Sequence, residues 1–147
     1  MEIGPLSDAE VPEVVALWER CGLTRPWNDP FDDITLARSS PTSAVLVGRQ
    51  DGRVVASAML GTDGHRGWVY YLAVDPELRR QGLGRRMMGA CEVWAEARGV
   101  PKIQLMVRGS NAATIGFYKA LGYRQEDTVI LGKRFDGQVW AAASGKT

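Results

Sequence analysis

The sequence predicts a mixed α/β domain with a central, mostly antiparallel sheet and helices on both faces. Three observations carry that prediction. Trp68–Val74 (WVYYLAV) is an unbroken β-branched and aromatic run, the mark of a buried strand, and Asp75-Pro76 ends it. From Leu83 the apolar residues Leu83, Met87, Cys91 and Trp94 recur at helical spacing. Ahead of the strand, two further strand patterns flank the turn pair Asp51-Gly52.

Taken in order, Glu2–Pro5 is a short strand. Ser7-Asp8-Ala9-Glu10 reads as a capping box. The helix it opens carries Val11, Val14, Val15, Leu17 and Trp18 on one side and ends at Gly22. Arg25–Pro30 is a turn-rich loop, and Phe31–Arg38 a second short helix. Ala44–Arg49 and Val54–Thr62 form a hairpin, and the turn Asp63–Gly67 leads into Trp68–Val74, so three strands run antiparallel in series. A helix from Leu83 to about Arg98 ends at Gly99. Lys102–Val107, reached through that helix, is a strand parallel to Trp68–Val74. Asn111 caps a helix to about Leu121, and strands at Tyr123–Glu126 and Val129–Arg134 close the sheet. Residues 1–136 read as one domain and 137–147 as a ragged tail.

With 147 residues, 45% hydrophobic and 24% charged, the chain can bury a real core. A net charge of +1 gives no general drive toward nucleic acid or membrane. Positive charge is local, from Arg79 to Arg86, with no aromatics interleaved, so nucleic-acid binding is the weaker reading of that octet. Cys21 and Cys91 stand in no C-x-x-C arrangement and fall in helical patterns, where they read as small buried hydrophobes. Met1-Glu2-Ile3 opens without an apolar signal region, and no apolar run reaches transmembrane length. A cytoplasmic protein without a metal is expected, and a homodimer is left open.

The loop Arg79-Arg80-Gln81-Gly82-Leu83-Gly84 joins the strand to a helix N-terminus. Helix N-termini leave backbone N–H groups unpaired at the positive end of the dipole. Gly82 and Gly84 let a ligand approach the backbone, and Arg79, Arg80, Arg85 and Arg86 suit phosphate oxygens. The residues support a pyrophosphate cradle, or an ordinary loop with solvated arginines.

Arg79-x-x-Gly82-x-Gly84 resembles the acetyl-CoA pyrophosphate signature Arg/Gln-x-x-Gly-x-Gly/Ala of the GNAT (Gcn5-related N-acetyltransferase) superfamily. Tyr71-Leu72-Ala73-Val74-Asp75-Pro76-Glu77 resembles the family's signature strand. Asn111 to Tyr123 resembles its second motif, Asn-x-x-Ala-x-x-Phe-Tyr-x-x-x-Gly-Phe/Tyr, with Ile115 at the usual alanine. Leu17-Trp18-Glu19-Arg20-Cys21, Arg25 to Pro30 and Asp63 to Gly67 are similar to the YpeA-type bacterial branch. The resemblance implies a GNAT fold, in which the signature strand and the following parallel strand splay apart around the cofactor's pantetheine arm. It implies acetyl-CoA as co-substrate, held by Leu72, Ala73, Val74, Arg79, Arg80, Gln81, Gly82, Leu83, Gly84, Arg85 and Asn111.

Acetyl transfer to a primary amine requires a held thioester, a polarised carbonyl, a deprotonated amine and a protonated leaving thiolate. By resemblance, Tyr118 is the general acid, its phenol remaining protonated at neutral pH. Seven residues separate it from Asn111, about two helical turns, so both share a face. Read without the family, Tyr118 packs beside Phe117 and Leu121, and Asn111 is a plain cap. No family glutamate carries over as base: Trp68 and Met106 occupy those positions. Asp29, Asp63 and His65 are the local candidates for a base or a contact with the acceptor, His65 having the ordinary pKa that suits a base, and Trp27 is a candidate apolar wall of the acceptor cleft. Each has a structural alternative, Trp27 in the core, Asp29 as a helix cap, Asp63 in a turn and His65 solvated. A catalytically weak acyl-CoA sensor on the same fold is the alternative function.

Overall fold

The computed structural model describes residues 1–140. The chain divides into two compact units, Met1–Leu105 and a second beginning at Met106.

The first unit holds a five-stranded sheet in the order β1-β2-β3-β4-β5, with β1 at Glu2–Pro5, β2 at Ser43–Gln50, β3 at Arg53–Thr62, β4 at Gly67–Val74 and β5 at Ile103–Leu105. The first four pair antiparallel in series, and β4 pairs parallel with β5. Helices α1 (Val11–Arg20) and α2 (Pro30–Arg38) bury Val14, Val15, Leu17, Trp18 and Ile34 against Val45, Val47, Val54 and Ala73 of the sheet. Helix α3 (Leu83–Ala97) lies on the other face, where a Cβ on Gly67 would meet Ala95 at 3.2 Å. Small residues at the contact let the helix approach the strand closely.

Local sequence explains the ends. Glu10 closes the expected capping box, accepting from the Ser7 N–H at 3.0 Å and the Ser7 hydroxyl at 2.9 Å. The box opens a single 3-10 turn, Asp8–Glu10, and Pro12 then sits in the first turn of α1. Glu10 also takes a two-pronged ion pair from Arg49 of β2, at 2.6 and 2.7 Å. Arg49 donates as well to the Pro5 carbonyl, at 2.8 Å, so one guanidinium joins the start of α1 to both β1 and β2.

The second unit holds α4 (Ala112–Ala120), capped by Asn111, whose side chain accepts from the Thr114 N–H at 3.2 Å. Two expectations are corrected. The strand expected over Lys102–Val107 is confined to Ile103–Leu105, because a bulge takes β4 out of phase beyond Val69 and parallel pairing needs both strands in phase. The strands expected at Tyr123–Glu126 and Val129–Arg134 are not formed among the described residues. Their β propensity supplies apolar side chains, but a strand exists only by pairing. Asp136 instead accepts from Arg134 and from the Gln138 N–H, making a local turn. Of the expected tail, residues 141–147 lie outside the described residues.

The Glu10 carboxyl is held at about 2, below its ordinary 4.5, chiefly by the Arg49 hydrogen bond. A lowered folded-state pKa stabilises above the unfolded value and the benefit fades as pH falls toward the folded one. Glu10→Gln is expected to lack this dependence. Between pH 4.5 and 2, denaturant titrations should show the native protein losing about 1–3 kcal/mol relative to the variant.

Candidate active site

The site is built around an irregularity in β4. Ser57 opposes Ala73 and Met59 opposes Tyr70, so β4 carries one residue more than β3 over this stretch. The extra residue is accommodated at Tyr71, whose φ is +52°. A left-handed tyrosine costs on the order of 1–3 kcal/mol and persists only where its surroundings hold it. Here they do. The Tyr71 ring stacks on Trp18 with centroids 3.9 Å apart and planes 3° from parallel. Its hydroxyl donates to Asp33 Oδ2 of α2 at 2.7 Å. Trp18 is itself fixed, since its buried indole N–H donates to the buried Ser57 hydroxyl of β3 at 2.7 Å. Burial, reinforced by the Asp33 hydrogen bond, pushes the Tyr71 phenol well above the usual tyrosine range, so it stays protonated and donates.

Beyond the bulge, the phase of β4 decides what its backbone offers. The Asp75 N–H donates to the Val55 carbonyl of β3 at 2.8 Å. The carbonyl of the same peptide, Val74 C=O, therefore points away from β3. Alternation puts the N–H and C=O groups of Leu72 and Val74 on that outward side and those of Ala73 toward its partner Ser57. Pairing with β5 stops at Val69 opposite Leu105. The outward groups of Leu72 and the Val74 N–H thus lie along an edge that no strand covers among the described residues. The Cys21 thiol, just after α1, donates to Val74 O at 3.3 Å. A segment bounded by Cys21 and Asp33 therefore lies along the open half of β4.

Asp75 ties this strand to the loop that follows. Its buried carboxylate accepts from the Glu77 N–H at 3.0 Å and pairs with Arg20 of α1 at 3.5 Å and Arg53 of β3 at 3.9 Å. After the 3-10 turn Pro76–Leu78, Arg80 (φ +66°) and Gly82 (φ +76°) both adopt left-handed conformations, and Gly82 becomes the N-cap of α3. Gly82 O accepts from the Arg86 N–H, leaving the N–H groups of Leu83, Gly84 and Arg85 without helical partners. No side chain caps that end and no acidic residue stands in the first turn. Nothing of the protein lies within 4 Å of where a Gly82 Cβ would be. Arg79, Arg80 and Arg85 are exposed and make no ion pair among the described residues, while Arg86 donates to the Met1 carbonyl at 2.7 Å. Open backbone donors, a helix dipole and free guanidinium groups form an anion cradle with the chemistry a pyrophosphate needs. The donors of the loop and the outward groups of the strand are of the kind that a pyrophosphate and an amide-bearing arm, such as those of acetyl-CoA, would engage.

The other expected residues fall into two groups. In the second unit, Asn111 caps α4, and Tyr118 is buried, edge-on to Phe117 and Tyr123 at centroid distances of 5.0 and 5.6 Å. In the first, Trp27 is half-buried on the segment between Cys21 and Asp33. Asp29 is the N-cap of α2, accepting from the Phe31 and Asp32 N–H groups. Asp63 accepts from the N–H groups of His65 and Arg66 at 2.8 Å each and from the Trp68 indole at 3.3 Å. His65 is exposed in the same turn, at the opposite end of β4 from the anion cradle. Asp29 thus caps α2, and Asp63 closes the turn before β4. Reading the sequence missed the Tyr71–Asp33 pair. The doubled tyrosine Tyr70-Tyr71, which breaks the in-out alternation of the strand, is the signal that pointed to it. Among the described residues no cluster of three His, Cys, Asp or Glu is arranged to hold a metal, and no helix is long and apolar enough to cross a membrane.

Comparison with known proteins agrees with this geometry. The model of the acetyltransferase (GNAT) family matches residues 11–123. Acetyltransferase YE1169 of Yersinia enterocolitica is 44% identical over 134 residues, covering 91% of this chain and 95% of its own. The ribosomal-protein-S18-alanine N-acetyltransferase of Escherichia coli superposes with a TM-score of 0.72 at 26% identity, covering 85% of this chain and 78% of that one. The aminoglycoside N-acetyltransferase AAC(6')-Iy, solved with CoA, superposes with a TM-score of 0.78 at 15% identity, covering 91% and 94% of the two chains, a likeness of fold. A family match across most of the chain and a full-length relative at that identity lead to one conclusion: the protein belongs to the acetyltransferase (GNAT) family.

Proposed function

We propose that the protein transfers acetyl directly from acetyl-CoA to a primary amine of a small molecule or a protein, with residues 1–136 acting as one catalytic domain. The observation that supports this most is the phase of β4, which turns the N–H and C=O groups of Leu72 and Val74 outward above an anion cradle. Acetyl-CoA supplies an activated thioester carbonyl. The amine nitrogen bonds to that carbon, the carbon–sulfur bond breaks, and the amine's surplus proton leaves to solvent. A backbone N–H near Val74 polarises the carbonyl, an oxyanion-type contact. Arg79, Arg80 and Arg85, with the first-turn N–H groups of α3, hold the pyrophosphate, and Asn111 contacts the arm. Tyr118 donates its proton to the leaving thiolate, the role the second motif supports.

The acceptor side is assigned to the segment from Cys21 to Asp33, with Trp27 as an apolar wall. Asp63 and His65 shape the far turn. With Trp68 and Met106 at the family's glutamate positions, no side chain of those positions acts as base, which favours amine deprotonation through water.

Two variants test the assignment. Gly82→Val forces a β-branched residue into a left-handed cap and puts a side chain into the cradle, so acetyl-CoA affinity should fall at least about tenfold by calorimetry in a folded protein. Tyr118→Phe should lower kcat about 10²- to 10⁴-fold while the Kd for acetyl-CoA holds. Equal losses in both quantities would reject the acid role.

A further inference from the structure

We infer that Asp33 is the residue that receives the acceptor, and that the acceptor is a primary amine presented as a cation. The inference rests on the acetyl-transfer reading above and adds the substrate's charge to it.

The geometry of one carboxylate supports it. Asp33 Oδ2 is engaged by the Tyr71 hydroxyl at 2.7 Å, and the Asp33 side chain makes no other hydrogen bond or ion pair among the described residues. Its second oxygen is neither hydrogen-bonded nor sealed from solvent. The carboxylate is therefore oriented yet half available. Its orientation is inherited through Tyr71 from the Trp18 stack and from Ser57, all fixed in the core. A carboxylate on such a support accepts an incoming N–H without first losing side-chain freedom.

Its location is the second argument. Tyr71 directly precedes Leu72, whose backbone faces the open edge of β4. Asp33 and Cys21 each touch that half of the strand, Asp33 at Tyr71 and Cys21 at Val74. The bulge also brings Tyr70 to the α1–α2 side, opposite Met59, which packs against the core there. An ammonium group beside Asp33 would meet one charge-assisted hydrogen bond and aromatic surface.

The charges nearby favour a cation. Asp29 and Asp32 share the first turn of α2 with Asp33. Arg25 is a cation whose charge reaches Tyr71. Its Nη1 donates to the carbonyls of Gly22 and Thr24 at 2.9 and 2.8 Å, and no ion pair with Asp33 is formed among the described residues. An anionic acceptor would meet the Asp33 carboxylate in a helix turn that also carries Asp29 and Asp32, and a neutral one would leave the available Asp33 oxygen without a counter-charge.

The test uses the full chain with acetyl-CoA, free-thiol release as the rate readout and calorimetry for the donor. The probes are spermidine and lysinamide, cationic at pH 8, and aniline, uncharged there. The native protein should turn over at least one cationic probe with a higher kcat/KM than aniline. Asp33→Asn should raise that probe's KM at least about tenfold, with kcat within about threefold and acetyl-CoA affinity unchanged, and Asp33→Glu should recover part of the loss. A KM within about twofold of native in Asp33→Asn, a preference for aniline, or no turnover of either cation overturns the inference. Should Asp33→Asn fail to fold, the native protein's preference between the cations and aniline decides alone. Failure of the native protein to bind acetyl-CoA would instead overturn the acetyl-transfer reading itself.

Discussion

The hydrogen bond from the Trp18 indole to Ser57 is the contact on which the rest of this site depends. It lies at the centre of the core, both groups buried, and it fixes the plane on which Tyr71 stacks. That stack keeps Tyr71 in a left-handed conformation that an unsupported tyrosine abandons. The bulge in turn ends the pairing with β5 and leaves backbone groups of β4 facing outward. A polar pair inside an apolar core is thus the remote cause of an open strand edge at the surface. The same chain of contacts continues from Tyr71 to Asp33, so the open edge and a carboxylate on α2 share one support.

The electrostatics of the loop follow a complementary logic. Elsewhere in the first unit, several cationic side chains are neutralised: Arg49 by Glu10, and Arg20 and Arg53 by Asp75. At the head of α3 the pattern is reversed. The first turn has no acidic residue, the cap has no side chain, and Arg79, Arg80 and Arg85 stand unpaired in solvent. An unneutralised helix end repels its own arginines mildly and attracts a multivalent anion strongly. The buried Asp75 fixes where this charge sits, because it joins the last residue of β4 to the loop and to two separate elements of the core.

Much of this was legible in the sequence. Composition and periodicity gave the order of helices and strands through Leu105, and the Arg-Gly loop declared its chemistry because helix-start physics is local. The long-range consequences were not legible. Asp29 and Asp33 are chemically identical, four residues apart, and only the path of α2 past Tyr71 separates a cap from an oriented carboxylate. Asp63 and His65 attracted attention as titratable groups, yet the carboxylate closes a turn through three hydrogen bonds that sequence spacing does not reveal. The segments at Tyr123–Glu126 and Val129–Arg134 show the complementary error, since propensity is a property of residues and pairing is a property of neighbours.

The three-residue contact between β4 and β5 has a consequence for size. Pairing closes the edge from Gly67 to Val69 and leaves Tyr70 to Val74 open, a stretch of roughly 15 Å at the usual rise per strand residue. Beyond Val69 the edge is already taken by β5, so a slender ligand laid along the strand has only that stretch of backbone to pair with. On the proposed reading, the point where β5 begins therefore sets how long an arm the edge can hold.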